Sequence, residues 1–190
     1  MKAMDGKKLA GLAGQILKAL GEDPRRPALK CTPERVAAAW KELTSGYDVD
    51  TAKLMAGAVF DEPDSEMVVV TDIQFYSICE HHLLPFFGKC HVGYIPDGKI
   101  IGLSKIPRLV EAFSRRLQVQ ETLTSQIANT LEKVIRPKGI GVVMEARHLC
   151  MEMRGPRSHG SPVKTSAMRG SFRADARTRK EFLDLISHPM

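Results

Sequence analysis

MVVVTDIQFYSICEHHLLPFFGKCHVGYIPDGKII, residues 67–101, is the stretch on which the fold turns. Met67 to Phe75 is rich in β-branched residues and predicts a strand. Gly88 to Ile95 alternates, with Cys90, Val92 and Tyr94 on one face and Lys89, His91 and Gly93 on the other. Asp97-Gly98 then signals a turn before Ile100-Ile101. Between the first two strands lies Cys79-Glu80-His81-His82, a thiol and two imidazoles within one turn of chain. Reactive groups in a connection held by a rigid sheet are a common arrangement for chemistry.

Downstream, Ser104 is placed to cap a helix with apolar positions Ile106, Leu109, Val110 and Phe113. Val119, Leu123, Ile127, Leu131 and Val134 give a second helical period, ended by Pro137 and Gly139. Gly141 to Met153 returns to alternation, which predicts that Met144, Ala146, His148, Cys150 and Glu152 share one strand face. A last helix is expected over about Asp175 to Ser187. Strands joined by turns, then two helices and a returning strand, make an α+β fold rather than a doubly wound parallel sheet.

Upstream, Leu9, Leu12, Ile16 and Leu20 recur at helical spacing up to Gly21. A second helix is expected with Thr32 as N-cap, Pro33 in its first turn, an apolar face of Val36, Ala39, Trp40 and Leu43, and a stop at Gly46. Residues 48–66 show no clear period. The expected organisation is therefore an N-terminal helical segment over 1–47 and a main domain over 48–190.

The chain has 190 residues, 43% of them hydrophobic, enough for one domain with a real core. Its apolar runs fall far short of the about 20 residues that cross a bilayer, and the Met1-Lys2-Ala3 start lacks a signal-peptide apolar region, so a cytoplasmic protein without a membrane partner is expected. Cys31, Cys79, Cys90 and Cys150 are too sparse for a disulfide scaffold. The net charge of +6 is uneven: Arg154, Arg157, Lys164, Arg169, Arg173, Arg177, Arg179 and Lys180 stand against the single acid Asp175. Such a segment suits an anionic partner, either a phosphorylated small molecule or nucleic acid.

Cys79, His82 and Cys150 read as a split metal site, with zinc favoured by the donor types. Three protein ligands leave a position for water, whose pKa zinc lowers towards neutrality. His81 and His148 are then free imidazoles beside the metal, suited to proton transfer. Cys31 and Cys90 have no spare histidine at ligand spacing and are expected in the core. Ser104, Lys105 and Arg108 bring a hydroxyl and two cations to a helix start, where anions are favoured, and Arg154 adds a guanidinium beyond Cys150. Spacing alone leaves Gln120 and Glu121 as ordinary first-turn residues of the next helix.

Five stretches together resemble the GTP cyclohydrolase I family: CEHH at 79–82, GLSKIPR at 102–108, RRLQVQE at 115–121, HLCMEMRG at 148–155 and TSAMRG at 165–170. The likeness runs from about Thr32 to the C-terminus. Two positions depart from the family's pattern, Thr122 after QVQE, where a basic residue is common, and Val163 where a Thr is usual.

The resemblance implies a tunnelling fold, an antiparallel sheet with helices packed on one side. Subunits of that family close into a toroidal homodecamer with active sites between subunits. The implied reaction hydrolyses GTP, rather than engaging nucleic acid, to 7,8-dihydroneopterin triphosphate and formate, the first step of tetrahydrofolate and pterin synthesis. Cys79, His82 and Cys150 match the family's zinc ligands, His148 its acid/base at the purine, and His81 the histidine near the ribose ring oxygen. Glu121, with Gln120 beside it, matches the guanine reader. Ser104, Lys105, Arg108 and Arg154, joined by Arg35, match the groups around ribose and triphosphate.

Overall fold

In a computed structural model, residues 4–63 and 66–187 are described; the Met1-Lys2-Ala3 start lies outside them. In chain order come α1 (Gly6–Ala19), α2 (Thr32–Leu43), a 3-10 turn (Ser45–Asp48), α3 (Thr51–Met55), β1 (Val59–Asp61), β2 (Val68–Cys79), β3 (Pro85–Ile95) and β4 (Lys99–Ile101). There follow α4 (Lys105–Ser114), β5 (Leu117–Gln118), α5 (Gln120–Ile135), β6 (Gly139–His148), α6 (Leu149–Glu152), β7 (Val163–Gly170), α7 (Ser171–Ala174) and α8 (Ala176–Ser187).

The main sheet runs β5-β2-β3-β6-β7, antiparallel throughout except for the short parallel pairing of β5 with the end of β2. The predicted alternation sets its core face: Cys90, Val92, Tyr94, Ile140, Val142 and Met144 are buried there. Onto this face pack α4 and α5, burying Ile106, Leu109 and Val110 from one and Leu123, Ile127 and Leu131 from the other. On the opposite face α7 and α8 cover one end, where Phe172 and Phe182 stack edge to face and sit against Gly93 and Gly141. The rest of that face carries the ion pairs Lys89–Asp72 and Lys164–Glu145. It also carries His91, whose Nδ1 accepts the Asp72 N–H at the β2 bulge.

Several local expectations change. The strand expected over Gly141 to Met153 stops at His148, and Cys150 sits in a single helical turn closed by Met153 N–H to Leu149 O. The Ser104 side chain makes no capping bond, and Lys105 N–H is taken by Gly102 O instead. Thr32 is the first residue of α2 rather than its cap, and the helix ends at Leu43, before Gly46. Cys31 is exposed, whereas Cys90 is in the core as expected. Within the unpatterned 48–66 stretch, Asp50 caps α3 by accepting from Ala52 and Lys53, and β1 pairs with β4. In α1 the periodic Leu12, Ile16 and Leu20 are exposed, and it is Ala13 that is buried.

Candidate metal and proton-transfer site

Cys79 ends β2 and is fixed there from three sides. Its N–H donates to Leu84 O, its C=O accepts from Leu83, and the next N–H, of Glu80, reaches Gln118 O on β5. Leu83 closes this loop with φ of 54°, a left-handed conformation that costs a branched side chain roughly 1 kcal/mol. The loop brings His82 Nδ1 to 3.9 Å and His81 Nδ1 to 4.0 Å from Cys79 Sγ.

Cys150 arrives from the other side of the sheet's end, on α6. A buried carboxylate sets this turn: Glu152 accepts the Arg147 guanidinium through both oxygens, with Arg147 Nε at 3.0 Å from Oε1, so strand end and helical turn are clamped together. The Arg147 guanidinium holds the Glu152 carboxyl below its usual range. The clamp is a charge-assisted bidentate pair, the strongest kind of side-chain hydrogen bond.

One donor atom each from Cys79, His82 and Cys150 lies within 4.8 Å of the others, with both cysteines buried and His82 exposed. Ligands of a tetrahedral zinc with bonds of about 2.0–2.3 Å stand roughly 3.5 Å apart, so little closure is needed. Burial, together with the adjacent Cys79 sulfur, pushes the Cys150 thiol above its ordinary pKa. Two sulfurs side by side in a poorly solvated corner are what a soft-accepting cation stabilises, and the donor set fits a zinc-type ion.

His148 stands beside this triad at the end of β6. Its ring stacks on Phe86, its direct cross-strand partner, at 4.6 Å and 8°. Its Nε2 is 2.7 Å from Gln120 Oε1. Burial lowers the His148 pKa, against the opposing pull of Glu121 and Glu152. Gln120 is 2% exposed. Its Nε2 donates to Met144 O, Val163 O and Thr165 Oγ1.

Of the sequence-predicted residues, Cys79, His82, Cys150, His81, His148 and Gln120 are therefore brought together. Glu121, exposed in the first turn of α5, is close enough to His148 to act on its charge, and Arg154, exposed after α6, acts likewise on Cys150. Ser104, Lys105 and Arg108 are not at this site. Ser104 and Lys105 stand at the start of α4 and Arg108 one turn in, and the far end of the helix, about 14 Å from Lys105 and about 9 Å from Arg108 along the axis, leads into β5 beside Cys79. The Lys105 ammonium donates to Leu54 O at 2.8 Å. Arg35 is exposed on α2, which packs on α1 and the Ser45–Asp48 turn. The parts that spacing missed are Phe86, Thr124, the side-chain role of Thr165 and the Arg147–Glu152 clamp. Only the clamp joins residues close in sequence, five apart; Phe86 comes to His148 through the antiparallel pairing of β3 with β6.

Residues 10–187 match the family described as GTP cyclohydrolase I. A GTP cyclohydrolase 1 of Synechococcus sp. (strain JA-3-3Ab) is 59% identical over 174 residues, covering 92% of this chain and 76% of the relative. One of Campylobacter curvus is 55% identical over 174 residues, covering 92% of each. Another, of Leptospira biflexa, is 54% identical over 178 residues, covering 94% of this chain and 97% of the relative.

Proposed function

The chain belongs to the GTP cyclohydrolase I family, and on that premise we propose how its own residues carry the reaction that hydrolyses GTP to 7,8-dihydroneopterin triphosphate and formate. Its α+β architecture is the tunnelling fold that this membership implies. The observation that carries the proposal is the Cys79–His82–Cys150 donor triad beside His148. These three residues hold zinc, which when bound supplies the Lewis acidity that makes water a nucleophile at neutral pH.

The reaction breaks both C–N bonds to C8 of the guanine imidazole ring and expels that carbon as formate, so two ring nitrogens must gain protons. With Nε2 engaged by Gln120, His148 has Nδ1 left to hold and deliver a proton to a leaving nitrogen. The Glu121 carboxylate, exposed at the start of α5, accepts from the guanine N–H groups, a pairing that selects guanine over a base lacking those donors. His81, with a side chain 63% exposed at the loop tip and its ring between the Cys79 sulfur and the Glu80 carboxylate, turns towards the ribose ring oxygen. Arg154 faces the triphosphate from the end of α6.

Ser104, Lys105 and Arg108, with Arg35, complete the phosphate site from a neighbouring copy, because within one chain they lie away from the triad. The assembly is a toroidal homodecamer, the catalytic domain spans 48–190 after a helical segment over 1–47, and the enzyme works in the cytoplasm. Among the described residues no helix is long and apolar enough to cross a membrane.

Zinc-loaded protein incubated with GTP is expected to release formate and to give a pterin that fluoresces after oxidation, with one zinc bound per chain. Metal-loaded protein that yields neither product sinks the proposal.

A further inference from the structure

We infer that Gln120 is a positioning residue that acts on the reaction through His148, fixing the hydrogen of that imidazole on Nε2, rather than a residue that contacts the substrate. The orientation of its amide is decided by its partners. Met144 O at 3.3 Å and Val163 O at 3.0 Å are acceptors only, so the group facing them is the NH2. The carbonyl Oε1 therefore faces His148, and an acceptor 2.7 Å from Nε2 requires that nitrogen to be the donor. The lone pair of a neutral His148 is thereby placed on Nδ1.

A second loop of bonds holds the amide. Thr165 Oγ1 accepts from Gln120 Nε2 at 3.1 Å and lies 2.7 Å from Thr124 Oγ1, which donates back to Gln120 O at 2.7 Å. Only one direction satisfies every hydrogen: Gln120 to Thr165, Thr165 to Thr124, Thr124 to Gln120. The amide's two hydrogens are thus spent on three acceptors, in a residue that is 2% exposed, and none is left for a substrate carbonyl. Val163 takes part only through its backbone oxygen, so its departure from the family's Thr leaves the network intact. The Phe86 ring, stacked on His148, restricts the imidazole's tilt, while Gln120 sets which nitrogen faces inward.

Resting on the proposed role of His148 as proton carrier, Gln120→Leu is expected to lower kcat about 10–100-fold, the usual effect of losing a partner that orients a functional histidine. KM for GTP is expected to stay within about twofold, since no ground-state contact is removed. On a His148→Ala background the same substitution should cost less than about twofold more, because the residue it acts through is gone. Thr165→Val, which keeps the strand side chain's shape, should lower kcat by a few fold with KM unchanged, so the test survives if Gln120→Leu folds poorly.

A tenfold rise in KM, or an undiminished loss on the His148→Ala background, overturns the inference. Turnover by Gln120→Leu at the wild-type rate does so too. Solid-state 15N spectra of histidine-labelled, zinc-loaded protein at about pH 8, where imidazole is neutral, read the tautomer without turnover. The signal missing in His148→Ala should be Nε2–H in the wild type and mixed in Gln120→Leu. A pure Nε2–H signal in Gln120→Leu overturns the link. Wild-type protein that releases no formate instead refutes the proposed reaction, with the spectra still deciding what Gln120 does.

Discussion

Cys150 and His148 stand two residues apart and carry different burdens in the proposed reaction. Cys150 is buried with its sulfur against Cys79, and without it two donors cannot enclose an ion. Cys150→Ser is expected to bring zinc, measured by atomic emission against protein, close to zero together with turnover. His148→Ala should keep its zinc and fall to a small residual rate of formate release; normal turnover in that protein would remove His148 from the chemistry. His91 is a separate case. Burial, aided by Lys89 and Lys164 and opposed by Asp72 and Glu145, holds its imidazole below the ordinary pKa while Nδ1 accepts the Asp72 N–H. The unfolded chain then binds a proton that the fold refuses, so stability is complete above about pH 6.5 and falls as pH drops below it. His91→Gln keeps an acceptor but cannot titrate. At fixed protein concentration, the wild type should lose stability relative to His91→Gln by up to about 1.4 kcal/mol per pH unit below pH 6.5. Urea midpoints that run parallel from pH 8 to pH 5 would contradict this.

At the scale of elements, backbone spacing decides what the sheet tolerates. A Cβ on Gly88 would stand 1.9 Å from Glu145 O, and both belong to strands that are paired on both sides. Gly88→Ala is expected to cost about 3 kcal/mol or more, since a backbone oxygen cannot rotate away as a side chain can. Gly11, inside α1 with nothing near its Cβ position, gives the opposite sign. Gly11→Ala should add about 0.5–1 kcal/mol of stability through helix propensity and unfolded-state entropy. Thermal melts of the two variants against the wild type decide both. The same scale shows which elements could be read beforehand. Buried Cys90, Val92 and Tyr94, and Leu123, Ile127 and Leu131, announce themselves because one face of each element is apolar over several periods. Alternation from Met144 to Glu152 predicted one long strand and failed after His148, because four residues of α6 are too few to show a helical period. The triad was legible, as cysteine and histidine are few and select each other as ligands. Gln120's place was not, since its partners Val163 and Thr165 lie far along the chain and only β6–β7 pairing delivers them.

For the whole molecule, the chain leaves sheet edges unfinished. β2 is paired on its outer side only at Ile78 and Cys79, and β7 has no outer partner among the described residues. Open edges of this length template pairing with another chain, and two edges on opposite sides of one sheet allow copies to close into a ring. Leu12 and Ile16 of α1, with Leu20 just past its end, add an apolar stripe that none of the described residues covers. Lys105 and Arg108 lie in the half of α4 remote from the triad, so the proposed phosphate role assigns them to a neighbouring copy's site. If each active site takes its triad and His148 from one copy and Arg108 from the next, two crippled chains can repair each other. His148→Ala and Arg108→Ala homo-oligomers are each expected to be nearly inactive. Co-expressed, they should recover roughly a quarter of wild-type turnover, because random assembly places two intact contributors at one interface about one time in four. Recovery that disappears when the two proteins are purified separately and mixed without subunit exchange ties the repair to shared interfaces, whereas no recovery on co-expression would mean that each chain builds its site alone.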